Sequence, residues 1–420
     1  MKKYRNILVA GGYGYTNLGD EAQCDTTLEL LTQRYPDYQI INLTPDVNHS
    51  KDMHPEFFHD TASRVAIYNQ NMFCDIYSFS FSFLKLWRIP AFILKSIGVI
   101  LNAYLVKLDL PTFFLNPRTV KFIEQIKEAD LFYFCGGGYL TGRTLSRLWE
   151  GIVICRLCKI FDTPVVMSGQ TIGVWNGKYN EFLAKLGFKS VKVITVRDEE
   201  FSLNDLAKIG IKGENCFVTH DDALHSKKSD EKQINSDNYI ALNFHYWGMN
   251  DRQKELYIDK INKIVTHILE DTNYEIVLIP MTQTDTDSFN DYLKKYPNDR
   301  IKSYEFNLDF KKIRRVIADS KMCITMKHHP IIFAMGECVP TISLAFSNYY
   351  VHKNVGALAQ YGQEKFSVNL EDNDYFEKFT KLHDELCENR NEIISEIKDR
   401  IQVLDERKEK FLQKIDKILN

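Results

Sequence analysis

Five consecutive residues in the second half of the chain, Met326-Lys327-His328-His329-Pro330, combine charged and titratable side chains. They follow an apolar run and open a helix that the sequence predicts over residues 329–335. A helix amino terminus carries unpaired N–H groups and a partial positive charge, to which Lys327 adds a cation. The two imidazoles add donors that can be neutral or charged near pH 7. The combination favours a small, multiply charged anion and could supply a general acid; helix capping and core histidines are the alternative.

A second cation follows a strand in the first half of the chain. Arg197-Asp198 comes directly after an apolar strand that the sequence predicts over residues 191–196. An arginine at the end of a strand can hold a carboxylate or phosphate through two parallel hydrogen bonds. The alternative is an Arg197–Asp198 pair that only closes the strand end.

The loop after the first predicted strand, GGYGYTNLGDE at residues 11–21, resembles a dinucleotide fingerprint only in part. Asn17 stands where the third glycine would be. Asp20 and Glu21 at the start of the next helix oppose phosphate binding, because they neutralise its positive end. We therefore expect this loop, with Tyr15 and Asn17, to line a sugar-binding cleft; the alternative is that Asp20 merely caps the helix.

Two more glycine-rich turns follow predicted strands. Gly136-Gly137-Gly138 lets the backbone approach another group closely, and so does the turn from Gly169 to Gly173, which contains Gln170. Close approach of a ligand and tight packing explain these glycines equally well. Gly137, Gly138 and Gln170 are therefore candidate acceptor-loop residues.

No catalytic metal site is predicted. His328 and His329 are adjacent and so project in different directions, and no third ligand is evident. Three further histidines are spaced by five and are interpreted as surface residues of a loop: His49, His54 and His59.

The order of elements predicts an α/β protein with two Rossmann-like, doubly wound domains that face a cleft. Apolar strands separated by helices indicate parallel sheets covered on both faces. The predicted ranges are an N-terminal domain at 1–225 with an apolar helical insertion at about 70–118, a polar linker at 226–238, a C-terminal domain at 239–370 and C-terminal helices at 371–420. Ligands are expected at the carboxyl ends of the strands.

The apolar insertion allows three interpretations. Within residues 79–115, the 18-residue run 89–106 is near the lower limit for a membrane span but contains Pro90 and Lys95. A buried or lid helix pair and an interfacial membrane contact are both open, the latter because Trp87 and Lys107 flank the apolar surface. A true span is disfavoured.

Composition excludes several classes. The 420 residues are 44% apolar and 26% charged, which is typical of a globular protein rather than a disordered or disulfide-framework chain. A net charge of −3 gives no basic field for nucleic acid. The sequence shows no secretory signal, so a cytoplasmic location is expected, with peripheral attachment to the inner face of the membrane if the insertion is interfacial. Cys155 and Cys158 lie in an apolar helical stretch and are predicted to be core residues.

Taken together, the ordered motifs resemble the polysaccharide pyruvyl transferase family over roughly residues 5–355. No single motif is very specific, but the ordered set is. The matching pieces are Gly12-Tyr13-Gly14-Tyr15-Thr16-Asn17-Leu18-Gly19-Asp20-Glu21-Ala22, Cys135-Gly136-Gly137-Gly138-Tyr139-Leu140, Gly169-Gln170-Thr171-Ile172-Gly173, Val196-Arg197-Asp198, Asp221-Asp222-Ala223-Leu224, Met326-Lys327-His328-His329 with Ile332-Phe333-Ala334, and Lys353.

The resemblance implies a fold similar to B-type glycosyltransferases and transfer of pyruvate from phosphoenolpyruvate to sugar hydroxyls, usually as a cyclic ketal, in cell-surface or exopolysaccharide biosynthesis. It implies that Arg197, Lys327, His328 and His329 surround the donor, and it adds Lys353 to the cleft residues. Lys327 stands where the family usually has arginine. The acceptor would be a sugar or lipid-linked oligosaccharide, and no metal or cofactor is required.

The expected mechanism has three steps. Arg197 and Lys327 hold the donor, His329 protonates the enol methylene carbon, and two hydroxyls then attack C2 in turn as phosphate leaves. A nucleotide-sugar glycosyltransferase and a non-catalytic module of a polysaccharide assembly complex are the alternatives. Arg197 and His329 together argue against the non-catalytic module.

Overall fold

The structure is a computed structural model that describes residues 5–62, 64–68, 88–113, 115–246 and 248–420. The chain forms two compact units. The first comprises Met1–Tyr15, Thr27–Thr219 and Lys408–Asn420, and the second comprises Thr16–Thr26 and His220–Arg407.

The first unit is built on one parallel sheet of eight strands. Its central strands are short apolar runs that are buried on both faces, as Leu131–Phe134 is throughout. The strand order is β3-β2-β1-β4-β6-β7-β8, with β5 paired to β6. The strands are β1 Arg5–Ala10, β2 Tyr38–Thr44, β3 Phe58–Thr61, β4 Leu131–Phe134, β5 Gly137–Thr141, β6 Val165–Gly173, β7 Val193–Val196 and β8 Cys216–Val218.

Helices follow most of these strands, as expected for parallel connections. They are α1 Leu18–Arg34, α2 Val47–Met53, α3 Arg88–Lys107, α4 Pro117–Glu128, α5 Leu145–Phe161, α6 Lys178–Phe188 and α7 Asn204–Lys208. Irregular helical turns occupy Arg64–Tyr68, Gly142–Thr144 and Glu199–Leu203. Cys155 and Cys158 are fully buried in α5, which confirms that they are core residues.

The second unit repeats the arrangement with six parallel strands in the order β11-β10-β9-β12-β13-β14. Its strands are β9 Tyr239–Asn243, β10 Glu275–Leu278, β11 Ile301–Ser303, β12 Met322–Thr325, β13 Thr341–Ala345 and β14 Ser367–Asn369. Its helices are α8 Asp251–Asp271, α9 Gln283–Lys295, α10 Phe310–Ala318, α11 His328–Gly336, α12 Asn348–Ala359, α13 Tyr375–Glu388 and the part of α14 Arg390–Leu419 that precedes Lys408.

Each sheet reverses its strand order at one point. In the first unit the reversal lies between β1 and β4, and in the second it lies between β9 and β12. Doubly wound sheets bind their ligands outside the carboxyl ends of the strands at this switch point. The loop after β1 and the segment Lys327-His328-His329 after β12 both stand at such a position.

The predicted α/β class with two Rossmann-like halves is confirmed. Two stretches do not follow the predicted domain ranges. Thr16–Thr26, predicted in the N-terminal domain, belongs to the second unit, and Lys408–Asn420, predicted among the C-terminal helices, belongs to the first. The prediction that His54 and His59 lie on the surface is wrong. Both are buried, and the ring nitrogens of His59 are satisfied by hydrogen bonds with Asn42 and with the carbonyl oxygen of His54.

The described part of the apolar insertion contains α3 and the first residues of α4. Residues 69–87, which include Trp87, lie outside the described residues. Val99, Ala103 and Val106 are buried, whereas Leu94 and Leu101 are more than half exposed. Among the helices that the structure describes, none is long and apolar enough to cross a bilayer.

Candidate active site

A tight turn at the end of β12 sets the start of α11 in the second unit. Lys327 is the N-cap residue of this helix and has extended backbone dihedrals. Its N–H donates to the hydroxyl of Thr325 at 3.0 Å, and that hydroxyl lies 3.1 Å from the carbonyl oxygen of Lys327. The amide of Asn354 donates to the carbonyl oxygen of Met326 at 3.0 Å. These bonds fix how the residues at positions 327–329 leave the sheet.

The ammonium group of Lys327 forms an ion pair with a buried carboxylate. Its Nζ lies 2.6 Å from Oδ1 of Asp285 and donates to the hydroxyl of Thr282 at 2.8 Å. Asp285 is fully buried, and it also accepts hydrogen bonds from the backbone N–H of Met281 and from Asn243. The positive charge of Lys327 is therefore largely neutralised locally, which sequence did not indicate.

His328 is buried and bonded to a second carboxylate. Its Nε2 lies 3.2 Å from Oδ2 of Asp221, and the ring is almost inaccessible to solvent. Oδ1 of Asp221 accepts from the amide of Gln23 at 2.8 Å and from the N–H of Ala223 at 2.9 Å. The side chain of His328 therefore helps to hold the Asp221 carboxylate in place. The backbone N–H of His328 is one of the N–H groups at the amino terminus of α11.

His329 packs on the first turn of α1. A Cβ atom built on Gly19 would lie 2.0 Å from Cγ of the His329 ring, so only glycine allows this approach. Nε2 of His329 lies 3.8 Å from Oδ1 of Asp20, and its side chain is 12% exposed. His329 is therefore held in a nearly buried position beside an acid, which suits a proton donor.

The N-cap residue of α1 is Asn17, not Asp20. Oδ1 of Asn17 accepts from the N–H of Gly19 at 3.1 Å, so Asn17 caps the helix. Asp20 lies within the first turn of α1, and its Oδ1 atom lies 3.8 Å from Nε2 of His329. Glu21 is fully buried.

His245, which follows β9, was not predicted as a site residue from the sequence. Burial lowers the pKa of His245 to about 4, and the nearby charges of Lys327 and Lys353 act in the same direction. Its ring lies against Phe346 and Tyr350, with centroid distances of 5.4 and 5.6 Å. His245 is therefore neutral at pH 7, and the predicted cleft residue Lys353 on α12 belongs to the same neighbourhood.

In the first unit, Arg197 leaves the end of β7 and is almost completely buried. Its Nε donates to the hydroxyl of Thr171 at 2.7 Å, and its backbone N–H donates to the carbonyl oxygen of Gln170 at 3.1 Å. A Cβ atom on Gly138 would lie 3.4 Å from Nη2 of Arg197. Thr171 thus orients the guanidinium towards the exposed backbone of Gly138.

The glycine-rich turn after β4 is tied to β6. Gln170 is buried, and its amide donates to the carbonyl oxygen of Cys135 at 2.6 Å. The hydroxyl of Tyr139 donates to the same oxygen at 2.6 Å. Gly137 has a φ of 147°, which other residues rarely adopt. Tyr15, in the loop after β1, is half exposed. The guanidinium of Arg147 lies 5.0 Å from the centroid of the Tyr15 ring.

The predicted site residues therefore form two groups. In the first unit, Gly137, Gly138, Gln170 and Arg197 lie at the carboxyl edge of the sheet, and Tyr15 lies in the loop after β1. In the second unit, the group consists of Asn17, Asp20, Glu21, Lys327, His328, His329 and Lys353.

The fold resembles solved structures of sugar-nucleotide enzymes. UDP-GlcNAc 2-epimerase from Methanocaldococcus jannaschii aligns with a TM-score of 0.55 and 14% identity, over 90% of this chain and 92% of that one. UDP-GlcNAc 2-epimerase from Neisseria meningitidis, bound to UDP-GlcNAc, aligns with a TM-score of 0.56 and 12% identity, over 94% of each chain. At such identity the likeness shows the fold alone.

A comparison with curated proteins found no match. A family model described as polysaccharide pyruvyl transferase matches residues 17–348, which is most of the chain. This range contains Arg197 and the segment from Lys327 to His329. The protein is a transferase, and it belongs to the polysaccharide pyruvyl transferase family.

Proposed function

We propose that this protein transfers the pyruvyl group of phosphoenolpyruvate to two hydroxyls of a sugar, forming a ketal, in the biosynthesis of a cell-surface or exopolysaccharide. The observation that carries the proposal is the placement of His329. A nearly buried imidazole beside Asp20, at the amino terminus of a helix, suits an acid that must donate its proton to carbon.

The donor is an anion with a carboxylate and a phosphate, and two features support its binding. The first turn of α11 offers backbone N–H groups and a partial positive charge. Arg197, oriented by Thr171, offers a planar pair of donors. Asp285 neutralises the charge of Lys327. We therefore propose that Lys327 mainly shapes the turn before α11 and contributes less through its charge.

The proposed reaction balances without a cofactor. His329 gives its proton to the methylene carbon, and the new C–H bond leaves C2 cationic. One sugar hydroxyl attacks C2, forming a C–O bond and losing its proton. The bond from C2 to the phosphate oxygen then breaks, and phosphate leaves with its electron pair. The second hydroxyl attacks and loses its proton, which gives the cyclic ketal. One of the released protons restores the imidazolium, and the other leaves with the phosphate.

The family implies a sugar or polysaccharide acceptor. We propose that the acceptor is carried on a lipid and that α3 touches the inner face of the membrane. Leu94, Ile97 and Leu101 are each at least half exposed on one side of α3, and this helix contains no acidic residue. Changing Leu94 and Leu101 together to Asp should abolish binding to anionic vesicles, whereas Leu256→Asp, at an exposed leucine of α8, should not. If the unaltered protein does not bind the vesicles, the membrane contact is refuted.

Donor choice is tested by thermal melting with each ligand. A ligand that binds the folded state raises the melting temperature, so phosphoenolpyruvate should do so. The nucleotide-sugar alternative predicts the opposite pattern, in which UDP-GlcNAc raises the melting temperature and millimolar phosphoenolpyruvate does not. His329→Gln should retain most of the phosphoenolpyruvate shift, because it removes the acid and not the helix terminus.

A further inference from the structure

Three side chains of the second unit, which the proposed reaction does not use, bring their polar atoms together. His220 and His225 follow Thr219, and Asp405 lies on α14. Oδ1 of Asp405 lies 2.7 Å from Nε2 of His225 and 3.6 Å from Nε2 of His220. All three atoms lie within 4.8 Å of one another. Two imidazoles and a carboxylate are a ligand set that divalent transition metals prefer.

The hydrogen bond of His220 decides which of its nitrogens can bind a metal. Nδ1 lies 2.8 Å from the backbone carbonyl oxygen of Asp221. A carbonyl oxygen can only accept, so Nδ1 carries a proton, and in the neutral ring the lone pair is on Nε2. That lone pair faces the Asp405 carboxylate, an arrangement that a cation stabilises. A backbone acceptor on the remote nitrogen is also how metal-ligating histidines are usually oriented.

We propose that His220, His225 and Asp405 bind one divalent cation that prefers imidazole nitrogen, with Zn²⁺ as the probe. Tetrahedral Zn²⁺ places its ligand atoms roughly 3.3 Å apart. The separation of 3.6 Å from His220 to Asp405 is close to this value. The distance between Nε2 of His225 and Oδ1 of Asp405 must increase by about 0.6 Å when Zn²⁺ replaces the proton that these two atoms share. Both side chains are nearly half exposed, so water can occupy a fourth position.

The position of this site suggests a structural role. Asp221 lies directly after His220, and its carboxylate accepts from His328 at the start of α11. A metal that joins His220 and His225 to α14 would restrain the segment that carries Asp221. We therefore expect Zn²⁺ to raise the melting temperature of the protein.

A second cluster, His267, His383 and Asp384, provides a control. It is a poorer site because Nδ1 of His267 already lies 2.8 Å from a carboxylate oxygen of Asp271, on its own helix.

The test uses the full-length chain without a histidine tag, stripped of metal by a chelator. Bound Zn²⁺ is measured by competition with a chromogenic chelator, and Co²⁺ is then substituted and its visible absorption recorded. We expect one equivalent of Zn²⁺ and a tetrahedral Co²⁺ spectrum. His225→Gln and Asp405→Asn should each weaken Zn²⁺ binding by roughly 10–100-fold or more and remove the Co²⁺ bands.

The control variant His383→Gln should bind Zn²⁺ as the unaltered protein does. The proposal is overturned if the unaltered protein binds no Zn²⁺ at micromolar concentration, if His225→Gln and Asp405→Asn both retain full affinity, or if His383→Gln removes the binding. Circular dichroism of each metal-free variant confirms that a lost site is not a lost fold.

Discussion

The ring of His329 lies so close to Gly19 that a Cβ atom there would stand 2.0 Å from Cγ and 2.1 Å from Nδ1 of the imidazole. Glycine at this point of α1 therefore sets the position of the proposed acid and its distance to Asp20. Changing Gly19 therefore tests the position of His329 while every titratable group is kept.

Gly19→Ala should lower turnover by roughly 10²–10⁴-fold, because the methyl group pushes the acid out of place. The matched control is Gly98→Ala in α3, where a Cβ atom meets nothing within 4 Å. That variant should be fully active and up to about 1 kcal/mol more stable, because alanine favours a helix. Steady-state kinetics and urea unfolding separate the two effects. Normal turnover of Gly19→Ala would contradict the assigned role of His329.

The ion pair of Lys327 and Asp285 predicts an effect on stability. Lys327→Met leaves a fully buried carboxylate without its cation, which should lower the free energy of unfolding by roughly 3–5 kcal/mol. Adding Asp285→Asn should recover a large part of the loss, and Lys327→Arg should cost much less than Lys327→Met. Urea unfolding of the unaltered protein, Lys327→Met, Asp285→Asn and the double variant completes a double-mutant cycle that measures the coupling. Additive losses would show that the two side chains do not interact.

His245 predicts a dependence of stability on pH. Its pKa in the folded protein is about 4, against an ordinary value of 6.5, so the unfolded chain takes up the proton first as the pH falls. The contribution of the neutral His245 ring to the free energy of unfolding is complete above pH 6.5 and is lost progressively as the pH falls towards 4. By pH 4 the total loss is about 3 kcal/mol at most. His245→Phe keeps an aromatic ring and should flatten this part of the profile. Parallel profiles for the two proteins between pH 6.5 and 4 would exclude this role.

Much of the fold could be predicted because it depends on local patterns. Apolar runs of four to nine residues separated by amphipathic helices specify parallel sheets, and the residues that follow each strand must lie at one edge. Arg197 and the start of α11 do lie at strand ends, as this pattern predicts. His245 follows β9 in the same way, so the same signal could have found it.

The partners of these residues could not be predicted because they are distant in sequence. Asp285 lies in the polar stretch QTDTDS, where it resembles any helix-starting acid, and only the tertiary fold brings it to Lys327. Asn17 and Asp20 are both good caps, and the choice between them depends on where α1 begins. His54 and His59 are polar by type, and their burial depends on hydrogen bonds that spacing does not indicate.

The central claim is tested most directly by incubating the protein with phosphoenolpyruvate and a panel of sugar and lipid-linked acceptors, and measuring the products by mass spectrometry together with released phosphate. We predict an acceptor that gains one pyruvate less one water, with phosphate released in equal amount, and a rate that falls by roughly 10²–10⁴-fold in His329→Gln while phosphoenolpyruvate still binds. Transfer of a sugar from UDP-GlcNAc with none from phosphoenolpyruvate, or full pyruvyl transfer by His329→Gln, would contradict the account.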